Sequence, residues 1–240
     1  MDRRELLDDE EESLRLAFEG LQSRLWTAMP AIVQTVNLAT MTLTAQPSIQ
    51  GVITKKDGST EYVDLPILVD VPIVYMGGGG FITTYPIEEG DEALIIFGAR
   101  CIDAWWQSGG IGQPMESRMH DLSDGFAIVG PRSQARLISA ISNNSVQMRN
   151  DAGTIFCEVS DSVARLVNGD TTITATSVSA DIVTTTASVT ATTANVTATN
   201  INLVGTVNIT GGLNVNGKNV GDTHTHSGVT PGGGNTGGVN

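Results

Sequence analysis

Aromatic side chains make up only 5 % of the 240 residues, and none occurs after Phe156. Charge is equally scarce toward the carboxyl end, where only Asp181 and Lys218 ionise between Thr171 and Gly221. A compact globular core cannot be built from such material, whereas a fibrous β structure can. Positive charge is short overall, with 13 Lys and Arg against 26 Asp and Glu and a net charge of −13. That balance excludes nucleic-acid binding through a basic face and attraction to anionic lipid. The two cysteines, Cys101 and Cys157, have no ligand-like spacing, so neither a disulfide framework nor a zinc site is expected. No run of about 18 apolar residues offers a membrane span. The charged amino-terminal stretch has no apolar segment of the secretory type. Histidine is scarce, with three in the chain, and two of them lie together in Thr223-His224-Thr225-His226-Ser227-Gly228.

What is present divides the chain into five stretches. Residues 1–29 read as a helical arm, with Leu14, Phe18, Leu21 and Leu25 on one stripe and Pro30 as the stop. Its acidic run, Asp8 to Glu12, suits a helix amino terminus. The run reads first as a solvated lead-in and second as part of a docking arm. Residues 30–118 read as about five short strands. Lys56-Asp57-Gly58-Ser59 and Glu88-Glu89-Gly90-Asp91 mark turns, and Pro66 and Pro72 mark an edge strand. An OB-like barrel is the expected architecture. Residues 30–130 carry twelve acidic residues against Lys55, Lys56, Arg100 and Arg118, which argues against the oligonucleotide-binding use of such barrels. Residues 119–170 form a transition of short strands. Turns are expected at Asn150–Gly153 and Asn168–Asp170, and Arg132, Arg136, Arg149 and Arg165 gather most of the remaining positive charge.

Residues 171–221 carry a repeat. Written in sevens from Thr171, the third and fifth positions are Ile173/Ala175, Ala180/Ile182, Ala187/Val189, Ala194/Val196 and Ile201/Leu203. A coiled coil is excluded, because the apolar pair is two apart and Thr, Val and Asn are poor helix formers. Residues two apart share one face of a strand, so each unit reads as a short strand and a bend. Stacked units make a β-helix, either within one chain or as a prism shared by three.

Residues 222–240 are rich in glycine and hold the histidine pair. On an extended strand His224 and His226 point the same way. Two imidazoles make an incomplete site, but three chains meeting on an axis supply six nitrogens. That closes an octahedral shell for a divalent transition metal such as iron(II), cobalt or nickel. The tip thus favours three chains over one.

The order of an OB-like region, a Thr/Val-rich β repeat and Thr223–Gly228 before a glycine-rich tail resembles the central spike of contractile-tailed bacteriophages, the baseplate assembly protein V type. The segment His120-Asp121-Leu122-Ser123-Asp124-Gly125-Phe126 resembles the joining region of that family, and the resemblance covers most of the chain. It implies an all-β homotrimer with an N-terminal helical arm, an OB-like barrel, an intertwined triple-stranded β-helix and a metal-capped tip. It further implies one iron ion per trimer held by His224 and His226. The implied function is a virion protein beneath the tail tube, in contact with baseplate hub and tail-tube proteins. Sheath contraction would drive it through the host outer membrane. No enzymatic activity, nucleic acid or small-molecule substrate is implied.

Two other readings share parts of this pattern. The spike of a bacterial contractile injection system has the same architecture and mechanics. A carbohydrate-active tail β-helix needs paired acids and aromatic platforms, and this repeat offers Asp181 and no aromatic residue. His120, Asp121, Ser123 and Asp124 have the residue types of a hydrolase triad, but their closeness in sequence reads as a turn. Gly77–Gly80 lacks the Lys-Ser/Thr of a phosphate loop and reads as a flexible loop.

Overall fold

The computed structural model describes residues 10–220. The chain divides into two units, Met1–Val183 and Thr184–Asn240. In the first unit, helix α1 spans Glu10–Gln22. Its first turn is acidic, which the helix dipole favours, and Arg15 bridges Glu12 and Glu19 one turn away on either side. The helix ends well short of Pro30. That proline instead lies within the first strand and pairs with Leu94.

A five-stranded antiparallel sheet follows. Its strands are β1 (Ala28–Asn37), β2 (Thr42–Pro47), β5 (Leu68–Pro72), β8 (Glu92–Phe97) and β9 (Gly125–Val129), in the order β5-β2-β1-β8-β9. Between β2 and β5 stands a hairpin of β3 (Gly51–Thr54) and β4 (Thr60–Val63), and between β5 and β8 a shorter one of β6 (Gly77–Gly78) and β7 (Phe81–Ile82). The two edges of the large sheet approach one another. Ile73 bridges Ala127, and the Val74 N–H donates to the Ala127 carbonyl at 2.9 Å. The sheet is therefore a partly closed barrel. Alternation along β1 puts Met29, Ala31 and Val33 inside, where they meet Leu43, Ala45, Leu68, Val71, Ala93, Ile95, Phe97 and Ala127. The interior is narrow. A Cβ on Gly125 would stand 2.8 Å from Ile95 Cγ2, so only glycine fits there. β9 comes from the stretch read as a transition, yet it completes this sheet.

The turns follow local chemistry. In the β3–β4 hairpin, Asp57 Oδ1 accepts the Ser59 N–H at 2.9 Å and Gly58 takes φ +83°. Ahead of β8, Asp91 Oδ2 accepts the Glu88 N–H at 2.9 Å. Helix α2 (Asp103–Ser108) carries Trp105 and Trp106, and Trp105 packs against Phe126 with ring centroids 5.5 Å apart.

The second sheet is an antiparallel ladder in sequence order: β10 (Ser145–Arg149), β11 (Ile155–Ser160), β12 (Val163–Asn168), β13 (Thr171–Thr176) and β14 (Ala180–Val183). Asn150 forms the β10–β11 turn by accepting from the Thr154 and Ile155 N–H groups at 3.0 Å. The first two sevens of the repeat are β13 and β14. They pair with each other as a hairpin within one chain rather than stacking as successive coils.

In the second unit, no strand is assigned among the described residues between Val183 and Asn214. A hairpin of β15 (Asn214–Val215) and β16 (Lys218–Asn219) follows. Asn216 and Gly217 turn it with φ 50° and 75°, the left-handed pair that a two-residue hairpin requires.

Candidate functional site

The β10–β14 ladder has two unlike faces, set by its register. On one face two rows run across all five strands. The first row is Val146, Val159, Ala164, Ala175 and Ala180, and the second is Met148, Cys157, Leu166, Ile173 and Ile182. Every residue in both rows is apolar. All but the half-buried Cys157 are exposed within the chain: Val146 is 76 % exposed, Met148 68 %, Ile182 66 % and Leu166 52 %. A depression of about 500 Å³ on this face is lined by Met148, Cys157, Leu166 and Ile173. A continuous apolar surface of this kind marks an interaction site.

The opposite face carries a charged row, in which Glu158 lies beside Arg165 and is followed by Thr174 and Asp181. Glu158 is buried by its partners. It accepts from Ser145 Oγ at 2.6 Å, from Gln147 Nε2 at 3.1 Å and from the Arg165 guanidinium. The Ser145 hydroxyl first, and then Arg165, hold its carboxyl below the usual range. Arg165 also stands over the Phe156 ring, 5.1 Å from its centroid. The other three arginines of this stretch are likewise engaged at home. Arg132 pairs with Asp151 at 2.9 Å, Arg136 lies 3.9 Å from Asp91, and Arg149 donates to the Ala140 and Ser139 carbonyls. Arg132 and Arg149 thus tie the ladder to its linker and Arg136 ties the linker to the turn ahead of β8, instead of forming a basic patch.

At the joining segment, Arg118 gathers three carboxylates. It donates to Asp124 at 2.8 Å, to Asp103 at 2.7 Å and to Glu116 at 2.7 Å. Asp124 is wholly buried and also accepts the Ile102 N–H at 2.9 Å. Cys101 donates to Asp103 at 3.4 Å. Cys101, Asp103 and Asp124 present ligand atoms within 4.8 Å of one another, but the Arg118 guanidinium already supplies positive charge to both carboxylates. That guanidinium lowers the Asp103 pKa. The residues of triad type next to it are committed elsewhere. His120 Nδ1 lies 3.2 Å from the Trp26 carbonyl, Asp121 accepts the Ser123 N–H at 2.9 Å, and Asp124 belongs to Arg118. The segment is a turn, as its spacing implies. The Arg118 knot was not legible, because Asp103, Arg118 and Asp124 share no periodicity. His224 and His226 lie outside the described residues.

Fold and surface together define a modular β protein, in which a partly closed barrel precedes an antiparallel ladder with one apolar face. Residues 29–130, which run from β1 through β9, match the family model described as the phage protein Gp138 N-terminal domain. The match ends at Gly130, ahead of the ladder, and it is named for Gp138 rather than for the baseplate assembly protein V type. No curated protein matches the chain.

Proposed function

We propose that this protein is the central spike of a contractile phage tail, a homotrimer that pierces the host outer membrane mechanically when the sheath contracts. The carrying observation is the uncovered apolar face of the ladder. Three copies turning Val146, Met148, Leu166, Ile173 and Ile182 inward would remove that surface from water at roughly 25 cal/mol per Å². The Thr/Val-rich stretch supports the same reading. Val189, Val196, Leu203 and Val204 are exposed, and no strand is assigned around them among the described residues. Backbone N–H and C=O groups in such a stretch need partners, and three interwound chains supply them as a triple-stranded β-helix.

The amino-terminal barrel, in this reading OB-like, faces the baseplate hub and the tail tube, and the carboxyl end meets the membrane. His224 and His226 from each chain would hold one iron ion with six imidazoles, tying three chain ends together. A rod of this kind works by resisting unfolding over the time of the stroke, which is a matter of rate. It needs no catalytic group. The matched family is a phage one, which favours a phage tail over a bacterial injection apparatus. The mass of the purified full chain in solution tests the reading: three copies are expected, and a stable monomer would overturn it.

A further inference from the structure

A cavity of about 530 Å³ opens on the first unit beside the Arg118 knot and has no part in the scheme above. Three parts of the chain meet there. They are the loop between β1 and β2, with Thr40 and Thr42, strand β5, with Asp70, and the stretch between β8 and β9, with Asp103, Trp106 and Arg118. The backbone bends to form it. Leu43 pairs with Val71 and Ala45 with Leu68, so Val69 and Asp70 together face Thr44, a β-bulge of the kind that re-aims a side chain. Five non-glycine residues have positive φ among those described, and three stand here: Met41 at 54°, Asp70 at 52° and His120 at 50°. Such conformations collect at binding sites. The lining offers a defined set of polar atoms. The Asp70 carboxylate has no hydrogen-bond or ion-pair partner among the described residues. Asp103 is engaged through Oδ2 alone, which leaves Oδ1 as a further acceptor. Arg118 uses four of its five N–H groups, on Asp124, Asp103 and Glu116, and keeps one donor. The Thr40 and Thr42 hydroxyls lie 2.8 Å apart, and Trp106 is 38 % exposed.

We infer that this cavity binds a neutral sugar of a glycan chain, with Asp70 and Asp103 accepting from its hydroxyls and the Trp106 indole against a pyranose face. Size and charge select that ligand. The volume lies in the range of small-ligand pockets, about 300–1,000 Å³, and is more than one lysine side chain would fill. A cation would also meet the Arg118 guanidinium, and nucleic-acid phosphates would meet Asp70, Asp103 and Glu116. A sugar carries donors and acceptors together, which matches a lining that has both. The position agrees as well. In barrels of the OB type, oligosaccharides lie on the second and third strands between the first loop and the loop joining the last two strands. Every lining residue belongs to one chain, so the site does not depend on the trimer proposed above.

The test titrates the full chain with maltose, cellobiose and N,N′-diacetylchitobiose, and saturation-transfer NMR reads the sugar protons. At least one sugar is expected to bind, and Asp70→Asn should bind it about tenfold more weakly because a charged acceptor is lost. Asparagine tolerates the left-handed backbone, so this variant keeps the bulge. Trp106→Ala should weaken binding too. On the unaltered protein, amide hydrogen exchange in the presence of sugar should slow at residues 38–42, 68–72 and 102–106. Silence from all three sugars overturns the inference. So does binding that survives Asp70→Asn at full strength, or slowing confined to other residues. A trilysine peptide that protects these amides when the sugars do not marks a cation site and overturns it as well. A monomer by mass would remove the spike reading and leave this one standing.

Discussion

Arg118 shows how much of this fold can rest on one side chain. Its guanidinium forks onto Asp124, which has no access to water, and also reaches Asp103 and Glu116. Arg118→Met leaves a buried carboxylate without its counter-charge, an expected loss of roughly 3–5 kcal/mol, read as a lower thermal midpoint by calorimetry. Arg118→Lys should recover only part of this, since an ammonium cannot make the forked contact. Acid has a related effect. The folded chain holds the Asp103 and Glu158 carboxyls below their ordinary values, so it binds those protons less readily than the unfolded chain. Both groups therefore add stability above about pH 4, and they lose it as pH falls through their lower folded values. The thermal midpoint is expected to stay level from about pH 7 to 5 and to drop below about pH 4. Sequence alone made the His120–Asp124 turn legible, because Asp121 and Ser123 are turn formers at turn spacing. It could not bring Asp103 to Arg118, since long-range ion pairs leave no periodic trace.

At the scale of elements, the ladder is the decisive structure. In the proposed trimer Leu166→Asp would set a charge in the middle of the covered apolar face, and a buried unpaired charge costs several kcal/mol in each copy. The expected outcome is loss of the oligomer by light scattering after size separation. Thr172→Lys, on the opposite face, should leave the mass unchanged. Much of this element was legible. Positions Ile173/Ala175 and Ala180/Ile182 do share one face, as residues two apart on a strand must. The turns at Asn150 and Gly169 fall where Asn-Asp-Ala-Gly and Asn-Gly-Asp stand. The hairpin pairing of the first two sevens was not legible, because period two fixes the face of a strand and says nothing about its neighbour. Two smaller differences have similar causes. Helix α2 is only six residues long, too short for a periodic signal. Pro30 lies third in β1, paired with Leu94, instead of ending the helix, since a proline early in a strand loses little of the ladder.

For the whole molecule, the sequence foretold a mostly β protein with an N-terminal helix, and the described strands and helix α1 bear out that much. Metal content belongs to this scale as well. About one transition-metal ion per three chains is expected by elemental analysis, and replacing His224 and His226 together with alanine should abolish it. Metal that survives the double substitution would remove the tip assignment and leave the ladder argument standing. The net charge of −13 on each chain would keep assemblies of the proposed kind apart in solution. The order of strands in the ladder also has a bearing on time. Each strand of β10–β14 pairs with its neighbour in sequence, so every closure spans only a short loop. Such local pairings form fast. The barrel must instead bring β8 back to β1 and β9 near β5 across long stretches, which is slower. A newly made chain would thus present a finished, water-facing apolar sheet before a second copy arrives. In that interval crowding favours the wrong encounter as readily as the right one. The yield of correct assemblies should then depend on how many chains are synthesised side by side.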